Sequence, residues 1–157
     1  MESKIIDITV EQKQEILQEL IREKQLQFDE FEAAQLQKLK SSNSEDVTDD
    51  DRFERKREQM IDEIKMRAPA LDLLKKELDI LKALQIAGIH KRVQLGSLVR
   101  TSKATYFISV SHPERLNHDH SWIAISEEAP VYQTMKGKKV GETFDWKEEP
   151  QLIEEVV

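Results

Sequence analysis

Cysteine is absent from this chain of 157 residues. Disulfide bonds, thiolate metal sites and cysteine nucleophiles are therefore excluded, and the absence agrees with a reducing compartment. Glycine and proline are scarce, with four of each, so long segments can continue as helix. No apolar run approaches the roughly 18 residues of a membrane span, and the opening segment lacks the layout of a signal peptide. We therefore expect a cytoplasmic protein with no membrane role.

Positive charge is in the minority. Lysine and arginine number 24 against 31 aspartate and glutamate, which gives a net charge of −7. A protein that binds duplex backbone without sequence preference normally carries a basic stripe. The acidic balance disfavours that class, and a nucleic-acid role would have to pass through a protein partner.

The first third of the chain favours a long helix. Thr9 and Gln12 have the spacing of a capping box, and neither glycine nor proline occurs in the next thirty residues. These signals predict a helix over about 10–40. Its apolar stripe is interrupted by Lys24 and Gln27, which indicates a weak seam.

A second helix is predicted over about 49–87, because its apolar residues keep two heptad phases typical of a helical pair: Phe53, Met60, Leu74 and Leu81 in one phase, and Ile64, Leu71 and Leu78 in the other. Pro69 predicts a kink near Ala68, and Gly88 predicts an αL helix terminus. The short polar segment 41–44 is typical of a turn. Residues 1–88 are therefore predicted to form an intramolecular antiparallel hairpin in a monomeric protein.

Beyond His90 the period changes from seven to two. Strands are predicted over 98–100, 104–110, 121–125, 143–146 and 151–157, with a short helix over 127–135 whose first turn contains Pro130. This pattern predicts a compact α+β domain over 93–157 that folds on its own. Its six aromatic residues could line a prolyl-isomerase pocket, but we interpret them as core: Tyr106, Phe107, Trp122, Tyr132, Phe144 and Trp146.

An acidic run lies between the two predicted helices. Asp46 and Asp49 are three residues apart, close enough to face one hard cation, and Mg²⁺ usually takes one or two carboxylates from a protein. Asp50 and Asp51 follow directly. The alternative is a solvated turn whose aspartates favour the positive end of the next helix. An EF-hand is disfavoured because the turn has no glycine and its twelfth position is Arg57.

The acidic run also carries a resemblance to a known family. Glu45-Asp46-Val47-Thr48-Asp49-Asp50-Asp51-Arg52-Phe53 aligns without gaps on the tip of the Gre transcript-cleavage factors (GreA and GreB), whose pattern is Gly-Asp-Leu-Ser-Glu-Asn-Ala-Glu-Tyr. Ile125-Ser126-Glu127-Glu128-Ala129-Pro130, then Gly137-Lys138-Lys139-Val140-Gly141-Glu142, resembles their Ile-Ser-x-x-Ser-Pro and Gly-Lys-x-x-Gly-Asp. Leu95-Gly96-Ser97-Leu98-Val99 is similar to their domain-opening strand. The resemblance runs in order along nearly the whole chain.

The resemblance implies an antiparallel coiled-coil hairpin joined to an FKBP-like domain. It further implies that the hairpin enters the secondary channel of bacterial RNA polymerase while Ala129, Pro130, Val131 and Tyr132 dock at its rim. Asp46 and Asp49 would then share a catalytic Mg²⁺ with the polymerase, supported by Phe53, Asp50 and Asp51. The polymerase itself would cut backtracked RNA by two-metal hydrolysis. On this hypothesis the isolated chain is not an enzyme, binds Mg²⁺ weakly and meets the RNA 3′ end only indirectly.

Departures from the family pattern leave an alternative open. Asp49 stands where the family has glutamate, and an aspartate-heavy tip resembles family members that inhibit the polymerase. A stand-alone prolyl isomerase is a third hypothesis. Separately, a metal site at His112, His118, Asp119 and His120 is less well supported than a solvated loop.

Overall fold

The structure is a computed structural model that describes residues 8–43, 50–84, 88–117 and 120–157. The chain divides into two compact units. One consists of Leu20–Asp79, and the other of Met1–Glu19 with Ile80–Val157. Among the described residues, no helix is long and apolar enough to span a membrane.

Helix α1 spans Val10–Asn43 and begins at the predicted capping box. The Gln12 amide N–H donates to Thr9 Oγ1, and the Thr9 amide N–H donates to Gln12 Oε1, both at 3.1 Å. Two amides at the helix start are thereby satisfied. The helix continues three residues beyond the predicted end, so the predicted turn over 41–44 was wrong for residues 41–43.

Helix α2 spans Asp50–Ala83 and is continuous through Pro69. Apart from Glu77, its less exposed residues follow the predicted heptad stripe, in steps of four and three: Met60, Ile64, Arg67, Leu71, Leu74, Leu78 and Leu81. The helix ends four residues earlier than predicted. Gly88 does adopt the predicted positive φ, 98°, but it lies in the connection after α2 and does not close the last turn.

Six strands form one sheet in the order β3-β4-β2-β1-β6-β5. They are β1 Leu98–Thr101, β2 Thr105–Ser109, β3 His112–Asn117, β4 His120–Ser126, β5 Thr143–Trp146 and β6 Glu149–Val156. Only the β2–β4 pair is parallel among these neighbours. Helix α3, Pro130–Met135, connects β4 to β5 and starts with Pro130 at N1. The fold is α+β, as predicted.

The main core lies on one face of the sheet and includes α3. Val99, Tyr106 and Ile108 from the strands pack in one cluster with Tyr132 and Met135 from the helix. Five of the six aromatic residues listed above are buried and Trp146 is half-buried, so interpreting them as core was correct.

The opposite face of β1, β2 and β4 is also covered. Leu98, Phe107 and Trp122 alternate with the first cluster along their strands, and each is at most 2% exposed. The start of α1 reaches this side of the sheet, since the Ile8 amide N–H donates to Glu155 Oε2 at 3.0 Å, and Glu155 in turn pairs with Arg100 of β1. The sheet unit therefore includes residues from both ends of the chain.

Candidate functional site

Two ion pairs fix the relation of α1 to α2. Lys24 Nζ lies 3.2 Å from Glu77 Oε2, and Lys38 pairs with Glu63. From Lys24 forward to Lys38, and from Glu77 back to Glu63, the step is fourteen residues, or two heptads. An equal and opposite step means that the helices run antiparallel in a constant register. The predicted hairpin is confirmed over this length.

The same register shows that α2 continues beyond the end of α1. Lys38 lies opposite Glu63. Five residues further along α1, its last residue, Asn43, therefore lies beside Glu58 of α2. Residues 50–57 of α2 then project by about 12 Å at ~1.5 Å per residue. The side chains from Glu54 to Arg57 are all exposed, as expected for helical turns that extend past the described end of α1.

In the sequence, the predicted metal ligands lie between the end of α1 and the start of α2. Asp46 and Asp49 lie outside the described residues, so their assignment remains a prediction. Asp50 and Asp51 are the first two residues of α2, and Phe53 is the fourth. Carboxylate oxygens are ligands that Mg²⁺ prefers, so the chemistry of the pair fits the ion.

The Lys24–Glu77 pair was missed by sequence reasoning, which took Lys24 only as a break in the seam. Both side chains are largely buried, at 9% and 12% exposed. Burying a charge is costly unless it is paired. The signal was available in principle, since an antiparallel register brings an acidic residue of α2 opposite this lysine.

The predicted docking residues lie around the start of α3. Ala129 is the N-cap of the helix, half-buried, and Pro130 is exposed. Val131 and Tyr132 are in the core cluster. Burial, together with the nearby Glu127, raises the pKa of the Tyr132 phenol. Among these four residues, the exposed surface is therefore that of Pro130.

Two of the histidines, His112 and His120, lie in strands and not in the solvated loop that the sequence indicated. His112 begins β3 and His120 begins β4, and the two strands pair with each other. His112 is buried and its ring stacks on Trp122, with centroids 6.4 Å apart. His118 and Asp119 lie outside the described residues, and the described part of the chain holds no cluster of three or more metal-ligating side chains.

No family model matches the chain, and no curated protein matches it. Among solved structures, the chain is similar to GreA factor homolog 1 (Gfh1) of Thermus thermophilus. The sequence identity is 16% and the TM-score is 0.32, and the match covers 91% of this chain and 93% of that one. It is also similar to a structure of the transcription factor Gfh1, with 19% identity and a TM-score of 0.29, over 89% of this chain and 88% of that one.

Proposed function

We propose that the chain is a Gre-like transcription factor that binds bacterial RNA polymerase and stimulates the polymerase's own cleavage of backtracked RNA. The observation that carries the proposal is the gapless match of the acidic run to the Gre tip, at the end of a hairpin whose register leaves α2 projecting beyond α1. A projecting charged helix end suits entry into a channel too narrow for a globular domain.

The match of residues 125–142 to the Gre pattern agrees with the local structure. Ile125 and Ser126 are the last residues of β4, and Pro130 is the first residue of α3. Gly137 and Gly141 both have positive φ, at 76° and 90°, a conformation that glycine adopts without strain. The matched residues therefore stand where this fold needs a strand end, a helix start and two turns.

In this function Asp46 and Asp49 would hold a Mg²⁺ ion together with carboxylates of the polymerase. The ion would supply the activation of water for phosphodiester hydrolysis. The chain's own contribution would be to position two carboxylates: Asp49 directly precedes α2 in the sequence, and the Lys24–Glu77 and Lys38–Glu63 pairs hold the hairpin in register. The isolated chain would have no nuclease activity.

A direct test uses stalled, backtracked elongation complexes of bacterial RNA polymerase with 3′-labelled RNA. Addition of the chain should accelerate release of short 3′ fragments in the presence of Mg²⁺, and the chain without polymerase should release none. The aspartates at 49–51 favour one second candidate, an inhibitor that occupies the same site. Slower cleavage on addition of the chain would establish that candidate and overturn stimulation.

A further inference from the structure

A cationic surface lies beside α3, on a protein whose net charge is negative. The segments 89–95 and 136–141 together contain five lysine or arginine residues and no acidic one: Lys91, Arg92, Lys136, Lys138 and Lys139. We call these five residues the basic platform. Sequence reasoning did not single it out, because its two halves are more than forty residues apart.

Main-chain bonds hold the two segments together. The Val93 N–H donates to the Lys138 carbonyl oxygen and the Gly137 N–H donates to the Val93 carbonyl oxygen, both at 2.9 Å. Arg92 Nη1 donates to the Gly137 carbonyl oxygen at 3.1 Å. Val93 itself is buried in the core. The platform is therefore a fixed part of the sheet unit.

The neighbouring Ser97 stiffens the first segment. Its hydroxyl oxygen accepts a hydrogen bond from the Gln94 N–H at 3.0 Å and lies 2.7 Å from His90 Nδ1. Ser97 is fully buried. The turn that presents Lys91 and Arg92 is thus held from inside, and little order has to be gained when a partner binds.

The platform does not have the features of a phosphate pocket. The amide N–H groups of Gly137, Lys138 and Gly141 all donate to carbonyl oxygens within the unit, so they are not available to cradle an anion. Val140 is 56% exposed next to Lys139, and Ile89 is 72% exposed two residues before Lys91. Exposed aliphatic residues among charges are typical of a protein interface with an apolar centre and a charged rim.

We infer that the basic platform is the surface that docks on the polymerase, and that its occupant is an acidic protein surface with an apolar centre. This inference rests on the proposed function. It moves the expected docking surface from the α3 residues implied by the family, of which Val131 and Tyr132 are buried, to the five cations of the platform. Glu142, the first acidic residue after the second segment, accepts a hydrogen bond from the Lys139 amide N–H at 3.3 Å.

The test measures binding of the full chain to bacterial RNA polymerase core enzyme by biolayer interferometry at several salt concentrations. The Lys136→Glu/Lys139→Glu variant changes two exposed platform residues. The matched control, Lys103→Glu/Lys147→Glu, makes the same change in charge in two exposed turns next to strands β1 and β5. Both variants are first checked for native circular dichroism and melting temperature.

The platform variant should bind at least about tenfold more weakly and with a shallower salt dependence, and the control should bind as the unmodified chain does. The affinity of a Lys136→Gln/Lys139→Gln variant for the polymerase should lie between those of the platform variant and the control. Equal binding by both Glu variants would overturn the platform assignment while leaving the proposed function in place. Failure of the unmodified chain to bind polymerase would overturn both. If the unmodified chain binds short RNA or duplex DNA and only that binding is lost in the platform variant, a nucleic acid is the occupant and the inference is wrong.

Discussion

Two lysines of α1 are buried in a helix that is otherwise mostly polar. Lys24 is paired with Glu77 of α2. Lys13 is fully buried, and its Nζ donates to the Gly88 carbonyl oxygen at 3.2 Å. The first is an ion pair between the helices, and the second joins α1 to the segment after α2. Their environments lead to different predictions.

Breaking the buried pair should be costly. Lys24→Met removes one charge and leaves Glu77 buried without it, which we expect to lower the free energy of unfolding by about 3 kcal/mol. The double variant Lys24→Met/Glu77→Leu should recover most of that loss, because no buried charge is left unpaired. Urea unfolding followed by circular dichroism measures both.

The control for this cycle is Lys38→Met, at the more exposed pair with Glu63. The Lys38 ammonium lowers the pKa of the Glu63 carboxyl, but solvent screens this pair. Its loss should be much smaller. Equal losses for Lys24→Met and Lys38→Met would show that burial of the first pair has no energetic consequence.

Lys13 should make stability depend on pH. Burial lowers its pKa in the folded chain from the ordinary 10.5. Between the lowered value and 10.5 the unfolded chain binds more protons than the folded chain, so stability rises with pH in that window. The free energy of unfolding of the unmodified chain should therefore rise from pH 7 toward pH 10 relative to that of Lys13→Met. Melting temperatures at pH 7, 8, 9 and 10 check this, and parallel profiles would contradict it.

At the scale of elements, the local signals were sufficient where a few neighbouring residues decide the conformation. The capping box of α1 and the heptad stripe of α2 were confirmed. Strand β5 has the predicted bounds. In each case a short-range pattern, either a cap or an alternation, determines the hydrogen bonds that the element can make.

Strand β3 was missed for a physical reason. It lies at the edge of the sheet and, among the described strands, pairs only with β4, and its second residue is Pro113. An edge strand tolerates proline because one row of its donors needs no partner. Such a strand lacks the composition of a central strand, so the segment resembles a polar loop until β4 is known to lie beside it.

The turn between β5 and β6 has a strained backbone. Lys147 and Glu148 have φ of 53° and 65°, and Trp146 pairs with Glu149 across them. Glu148→Gly should raise the free energy of unfolding by about 0.5–1 kcal/mol, because glycine adopts positive φ without a Cβ clash. Glu148→Ala, which keeps the Cβ, should give no gain. Thermal unfolding compares the two, and equal stability would rule out strain at this turn.

At the scale of the whole molecule, the α+β class was predicted correctly, but the composition of the sheet unit was not evident from periodicity. That unit includes Met1–Glu19 as well as Ile80–Val157. Periodicity did not indicate this, because contacts between segments far apart in the sequence leave no local pattern. The geometry of Asp46 and Asp49 is likewise beyond sequence reasoning, since a shared metal site depends on ligands that a partner supplies.

The fragment 93–157 tests the independence of the sheet unit. We predict that it folds, with dispersed amide chemical shifts, because α3 and one sheet face already form a core cluster. Its melting temperature should be lower than that of the full chain, since it lacks the Ile8 contact with Glu155 and the buried Ile16 and Leu17. Collapsed amide shifts would show that the fragment depends on the start of α1.

The proposed function requires that the tip carboxylates act inside the polymerase while other residues provide binding. The most direct measurement compares the unmodified chain with Asp46→Asn/Asp49→Asn in cleavage of backtracked complexes, with polymerase affinity measured on the same samples. The double variant should lose roughly 10²-fold or more in the cleavage rate, as expected when ligands of a catalytic ion are removed, and its affinity for the polymerase should be nearly unchanged. Cleavage by the double variant at the unmodified rate would show that Asp46 and Asp49 are not ligands of the catalytic ion.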